Sequence, residues 1–324
     1  MRIFCIHPQS NYNLGDLMTY YGARYLLKKA YDDVEFLQFD SRRAEQEKDT
    51  YVPQYNWGDD VEIILLAGTP WLGVEKDLKV LFVQQALKRW ATSKKIALGI
   101  GAFLSFRRLS DKNSYSDIDT SFLRNFDLVL TRDMLAHNLL LKDGISNFPC
   151  CDTSIYSSYY LPRPKCYRHR NIVIYYDPLA NNVFDHMPES YWQMCIEFQL
   201  EWAKRKKAEI ITITSGDAGS LIEKGIYGRF VTDLEWLAER MSEAKSVLSG
   251  RVHQAILAKI MGCPKVVLIP VDSRYLTVEP LGIDVLSSGY EVEFPLKAES
   301  ACSLPNVKFG DEQFIIKKLK EVWK

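Results

Sequence analysis

The stretch Val247–Ile269, "VLSGRVHQAILAKIMGCPKVVLI", decides how the fold of this chain is read. The apolar run "SVL" at 246–248 has the character of a strand, and Ser249-Gly250 turns the chain after it. Val252, Ala255, Ile256 and Ile260 follow the three-and-four spacing of an amphipathic helix, with Lys259 interrupting the stripe. Gly262 stops that helix, and Pro264 leads into a second apolar run, "KVVLI" at 265–269. The segment therefore reads strand, turn, helix, strand. Arg251 and His253 fall at the helix start, where free amides and the positive end of the helix dipole already favour an anion.

The same alternation extends outward in both directions. "RIFCI" at 2–6 is a strand, followed by the loop "HPQSNYNLG" and a helix from about Asp16 to Ala30. "VEFLQF" at 34–39 and "VEIILLA" at 61–67 are strands, "GTPWLG" at 68–73 a loop, and a helix ends near Trp90. "KIALGIG" at 95–101 and "DLVLT" at 127–131 continue the series, the latter running directly into the helix "RDMLAHNLLLKDG". After "YYLPRPKCYRHR" at 159–170, a proline- and arginine-bearing linker, the pattern restarts with "NIVIYY", a helix over 188–206, "EIITIT" and a helix over 233–243. "DEQFIIKKLKEVWK" closes the chain as an amphipathic helix. This alternation predicts an α/β fold of two Rossmann-like domains with parallel sheets, covering 1–165 and 166–324. Ligands of such domains bind in the cleft between them, at the carboxyl ends of the strands. The last helix is expected to pack back.

Composition narrows the function. The 324 residues carry 41 basic and 41 acidic side chains, so no basic footprint for nucleic acid exists. "KRKK" at 204–207 reads as the solvated end of a helix. Seven cysteines, without any C-x-x-C spacing, point to free thiols in a reducing compartment. The opening residues lack the pattern of a secretory signal, and no apolar run approaches the roughly 20 residues of a membrane span. A cytoplasmic location is expected.

Three strand-to-helix turns carry polar groups towards the expected cleft. In "NYNLGD" (11–16), Asn11 and Asn13 offer amide hydrogen bonds, Gly15 permits close backbone approach, and Asp16 or Asn13 could equally cap the helix. It is not a G-x-G-x-x-G dinucleotide turn. In "LTRDM", Arg132 sits where a cation opposes the helix dipole, so an anion should offset it, either Asp133 or a bound carboxylate or phosphate. In the third turn Arg251 supplies a planar fork of donors for phosphate or carboxylate, and His253 is suited to general acid–base work. "DID" at 117–119 is a weak metal motif in a polar stretch, and no metal site is expected. His7 ends the first strand and could face the cleft; His137, His169 and His186 have no partner pattern. H-E-x-x-H, G-x-S-x-G and P-loop motifs do not occur.

Taken in order, "NLGD", "LAG", "GIGA", "FDLVLTRDMLAHNLLLKDGI", "CDTS" and "SGRVHQAILAKIMGCPKVVLI" resemble the polysaccharide pyruvyl transferases. The resemblance implies a GT-B-like pair of domains, the N-terminal one on the acceptor side and the C-terminal one on the donor side. It implies transfer of a pyruvyl group from phosphoenolpyruvate to two hydroxyls of a sugar or glycan, giving a ketal and phosphate, with no cofactor. His253, Arg251 and Asp16 would then be catalytic, His253 as acid and Asp16 as base. Arg132, Arg251, Asn13, Gly15, Ser249, Gly250 and Arg274 would line the donor site. Val252 stands where the family usually has leucine, and Gly68-Thr69-Pro70 is a reduced form of its glycine cluster. A lipid-linked acceptor needs no spanning segment, so a peripheral position at a membrane surface and an oligomer both stay open. Two rivals share this scaffold: a nucleotide-sugar glycosyltransferase and a non-catalytic carbohydrate-binding relative.

Overall fold

The computed structural model describes residues 1–7, 14–40, 60–68, 70–73, 78–104, 118–165, 167–180, 189–271, 273–286 and 310–323. The first half runs β1 (Arg2–His7), α1 (Leu14–Ala30), β2 (Glu35–Asp40), β3 (Ile63–Ala67), β4 (Pro70–Leu72), α2 (Leu78–Arg89), β5 (Lys94–Ala102), β6 (Leu128–Thr131), α3 (Met134–Lys142) and β7 (Phe148–Pro149). A 3-10 helix, Thr153–Tyr160, follows. Among the described residues these strands form a parallel sheet of order β2-β1-β3-β5-β6-β7, with β4 beside the far end of β5. "GTPWLG", expected to be a loop, thus contributes a short edge strand. Pro70 is tolerated there because it stands at the first position of an edge.

The second half runs β8 (Arg170–Ile174), α4 (Glu189–Lys206), β9 (Glu209–Thr212), α5 (Ser215–Glu223), β10 (Arg229–Phe230), α6 (Leu234–Ser242), β11 (Ala244–Ser249), α7 (Val252–Ile260), β12 (Val266–Leu268), β13 (Asp284–Val285) and α8 (Glu312–Glu321). Its sheet order, β10-β9-β8-β11-β12-β13, is the 3-2-1-4-5-6 arrangement of nucleotide-binding folds. The first sheet instead follows a 2-1-3-4-5-6 order, the flavodoxin-like variant. Both orders switch direction beside their first strand, so the carboxyl ends of β1 and β8 are where each half can receive a ligand.

Burial explains why both sheets are parallel. In β1, Ile3 and Cys5 point into one apolar cluster while Phe4 and Ile6 point into another. β3 divides the same way, Ile63 and Leu65 against Ile64 and Leu66. Strands apolar on both faces need helices on both faces. One cluster continues from the first sheet into Ile172, Val173, Val247, Leu248 and Leu257 of the second half. The other is closed by Ile315, Ile316 and Leu319 of α8, which lies against α1, with the Tyr31 hydroxyl donating to the carbonyl of Leu319 at 2.5 Å. Lys204, Arg205 and Lys206 end α4 with exposed side chains, as the solvated reading of that run requires. No helix among the described residues is long and apolar enough to cross a membrane.

Candidate active site between the two halves

The site is built from the strand ends upward. β6 runs straight into Arg132, and the next residue, Asp133, caps α3 by accepting from the amide of Ala136 at 2.7 Å. Asp133 also accepts from the amide of Ala102 at 3.1 Å, tying the end of β5 to the start of α3. Burial pushes the Asp133 carboxyl up, against the opposing pull of Arg132 and of these two amides. Arg132 itself is fully buried, and its Nη1 donates to Oδ2 of Asp152 at 2.9 Å. Asp133 is the more distant partner, 3.9 Å from Nε. The sequence offered Asp133 or a bound anion; the short ion pair is instead with Asp152, which the sequence reading did not offer. The guanidinium lies so close over Gly101 that a Cβ there would come within 2.1 Å of Nε. Nε and Nη2 have no hydrogen-bond partner among the described residues.

Asp152 joins this arginine to the other half of the chain. Nε2 of His253, on the second residue of α7, lies 3.3 Å from the same Oδ2, while Oδ1 accepts from the amide of Ser154 at 2.9 Å. Burial alone would raise the Asp152 carboxyl. The charges on His253 and Arg132, together with the bond from Ser154, outweigh it and hold the group far below the usual carboxylate range. The opposite edge of the imidazole rests on α1, where a Cβ at Gly15 would fall 2.4 Å from Nδ1. Only glycine lets the ring and the helix approach this closely. Asp16 follows in the first turn of α1, buried, with its carbonyl accepting from the Thr19 hydroxyl. The structure thus brings His253, Gly15 and Arg132 together around Asp152, a residue that the sequence analysis quoted in "CDTS" but did not single out. Its signal was an aspartate directly before a Ser/Thr pair, an N-cap placement, and Asp152 does cap the 3-10 helix.

Arg251 has a separate environment. It takes the N-cap position of α7 without a side-chain cap, leaving the first helix amides for another acceptor. Its Nη2 donates to Oδ2 of Asp217 at 2.7 Å and to the Thr214 hydroxyl at 3.2 Å, and the guanidinium stacks over Tyr176 at 4.4 Å from the ring centroid. Unlike Arg132 it keeps 20% of its side-chain surface exposed. Ser249 shapes the turn, its hydroxyl accepting from the Arg251 amide and donating to the Arg251 carbonyl. Gly250 fits because a Cβ there would meet the side chain of Tyr176 at 2.5 Å. Asp217 also accepts from the amide of Asp177, three residues beyond β8. Burial would raise the Asp177 carboxyl, but the Ser220 hydroxyl, the amides of Ala180 and Leu179, and Lys224 together lower it.

The remaining candidates divide clearly. Arg274, in a 3-10 turn after β12, lies over the ring of Phe103 at the end of β5, a second bridge between the halves. His7 is buried with Nε2 3.0 Å from the Thr19 hydroxyl, and Nδ1 of His137 is 2.6 Å from Oδ1 of Asn147. Both are satisfied structural histidines. Asn11 and Asn13 lie outside the described residues, as does Asp117 of the weak metal motif. Asp119 accepts from the amide of Ser121.

A family model for polysaccharide pyruvyl transferase matches residues 13–272. The chain belongs to this family. It is thereby placed among transferases of polysaccharide pyruvylation, with a polysaccharide acceptor. Among solved structures, the UDP-GlcNAc 2-epimerase of Methanocaldococcus jannaschii, in complex with UDP-GlcNAc and UDP, is similar at a TM-score of 0.55 and 11% identity, covering 99% of this chain and 92% of that one. A putative UDP-N-acetylglucosamine 2-epimerase of Listeria monocytogenes gives a TM-score of 0.51 at 13% identity, with coverage of 86% and 81%. An uncharacterized protein of Klebsiella pneumoniae gives 0.47 at 13% identity, with coverage of 86% and 87%. At these identities the likeness concerns the fold, two parallel-sheet domains. No curated protein matches the chain.

Proposed function

We propose that this pyruvyl transferase takes its pyruvyl group from phosphoenolpyruvate and sets it as a cyclic ketal across two hydroxyls of a sugar in a glycan. The observation that carries the reading is the imidazole of His253, set on Asp152 of the other half and against the start of α1, beside the anion-favouring start of α7. Phosphoenolpyruvate carries a carboxylate and a phosphate. Arg251, the uncapped amides of α7 and the Ser249-Gly250 turn would hold these groups, with Arg274 and the start of α1 at Gly15 on the facing side. Arg132 serves the donor through Asp152 rather than by direct contact, because its side chain is fully buried in that ion pair.

The atoms balance as follows. His253 delivers a proton to the methylene carbon, and one acceptor oxygen bonds to the neighbouring carbon. The bond from that carbon to the phosphate oxygen breaks, and the second acceptor oxygen takes its place. Two hydroxyl protons are lost; one is made good on the new methyl group and one leaves with phosphate. Asp16 is the base for the incoming hydroxyl.

The test is phosphate release from phosphoenolpyruvate in the presence of candidate glycans, beside consumption of nucleotide-sugars. Phosphate release that depends on the acceptor, with an acid-labile ketal in the product, is the expected result. Consumption of a nucleotide-sugar alone would overturn the reading in favour of a glycosyltransferase. Binding of glycan with no turnover of either donor would favour the non-catalytic relative.

A further inference from the structure

From the contacts of the His253 ring we infer that Asp152 is the positioning residue of the reaction and that Nδ1, not Nε2, is the atom that hands its proton to the substrate. The inference rests on the reaction proposed above and assigns it an atom. Nε2 is buried and lies 3.3 Å from Oδ2 of Asp152, its ion-pair partner if the ring is charged, with no aligned hydrogen bond from it among the described residues. Asp152 is in turn fixed by two further donors, Nη1 of Arg132 and the amide of Ser154. A carboxylate held by an arginine keeps its own charge, so the proton on Nε2 stays on the ring, shared with that carboxylate. The ring's second proton site, Nδ1, belongs to the edge of the ring that packs on the start of α1. The proton that moves is therefore the one on Nδ1. Its target carbon would have to reach Nδ1 beside the first turn of α1, where Gly15 itself adds no side chain.

This differs from a satisfied structural histidine such as His137, whose Nδ1 is spent on Asn147. It also gives Asp152 a task that reaches across the molecule. Asp152 belongs to the segment after β7 and His253 to α7, so the acid is oriented only when the two halves are docked. Arg132 acts one step further back, by keeping Asp152 ionised.

Full-length protein labelled with ¹⁵N at histidine gives a readout that needs no substrate. The His253 ring signals are assigned by their loss in His253→Gln. In the wild type the neutral ring is expected to carry its proton on Nε2. Asp152→Asn is expected to move that proton to Nδ1 and to lower kcat by about 10²-fold to 10⁴-fold with KM for phosphoenolpyruvate little changed, as when the aspartate of a histidine-orienting triad is replaced. Should Asp152→Asn fold poorly, the tautomer of the wild-type ring still decides, because it is read with Asp152 in place. A wild-type ring with its neutral proton on Nδ1, or an Asp152→Asn enzyme with unchanged tautomer and kcat, overturns the assignment even when phosphoenolpyruvate is consumed. Absence of phosphate release with an Nε2-protonated ring would instead remove the reaction and the proton transfer while leaving the orientation by Asp152 standing.

Discussion

Arg132 and Arg251 stand in matching positions, each just beyond a strand and at the start of a helix, yet the protein uses them differently. Arg132 has no exposed side-chain surface and meets Asp152 inside its own half. Arg251 is part-exposed, held by Asp217 on one side and lying flat on Tyr176. A cation at a helix start must find an anion in either case. Where the chain supplies that anion inside the core, the arginine becomes a charge holder for another residue. Where the pairing is at the edge, part of the guanidinium stays available to a ligand.

The largest expected effect tests the buried member. Arg132→Met should lower stability by about 3–5 kcal/mol, because Asp152 is left buried without its arginine. Denaturant midpoints would show this. The next effect tests the edge member. Arg251→Lys loses the planar fork and should lower turnover by about 10²-fold, close to 3 kcal/mol, with the fold intact. An Arg251→Lys enzyme with full activity would remove the distinction between the two arginines.

The pH dependence sharpens the same contrast. The folded-state pKa of Asp152 is depressed, so its stabilising contribution is complete above the ordinary value of 3.8 and is lost as pH falls below it. Urea midpoints of wild type and Asp152→Asn, compared from about pH 5 down to pH 2, should therefore converge at the acid end. A gap that is constant with pH would mean that the carboxylate charge is not what the pair contributes. The smallest effect concerns the stack beneath Arg251. Tyr176→Leu should cost about 1 kcal/mol of donor binding, seen as a several-fold rise in KM, and Tyr176→Phe much less.

Much of this architecture was legible in the order of residues. Period and punctuation placed α7 between β11 and β12, with Gly262 and Pro264 closing it, and placed Arg132 at the strand end before α3. What escaped were elements too short or too polar for periodicity to register. β4, β7, β10 and β13 have two or three residues each and exist because a neighbouring strand offers them a partner. α5 was missed although Thr214 and Asp217 form a reciprocal cap at its start, each bonding the other. With α5 went Asp217, the anchor of Arg251. Asp152 was overlooked for a different reason. Its partners are 20 residues away and in the other half of the chain, and such pairings come from docking rather than from local pattern. Gly101 of "GIGA" makes room for Arg132, a packing task that no local pattern announces.

The most direct trial of this account is a structure of the protein with phosphoenolpyruvate bound. It should find the donor's acidic groups on Arg251 and the first amides of α7, its methylene carbon at Nδ1 of His253, and Arg132 still on Asp152. A donor bound away from α7, or one that draws Arg132 off Asp152 while leaving Arg251 on Asp217 untouched, would contradict it.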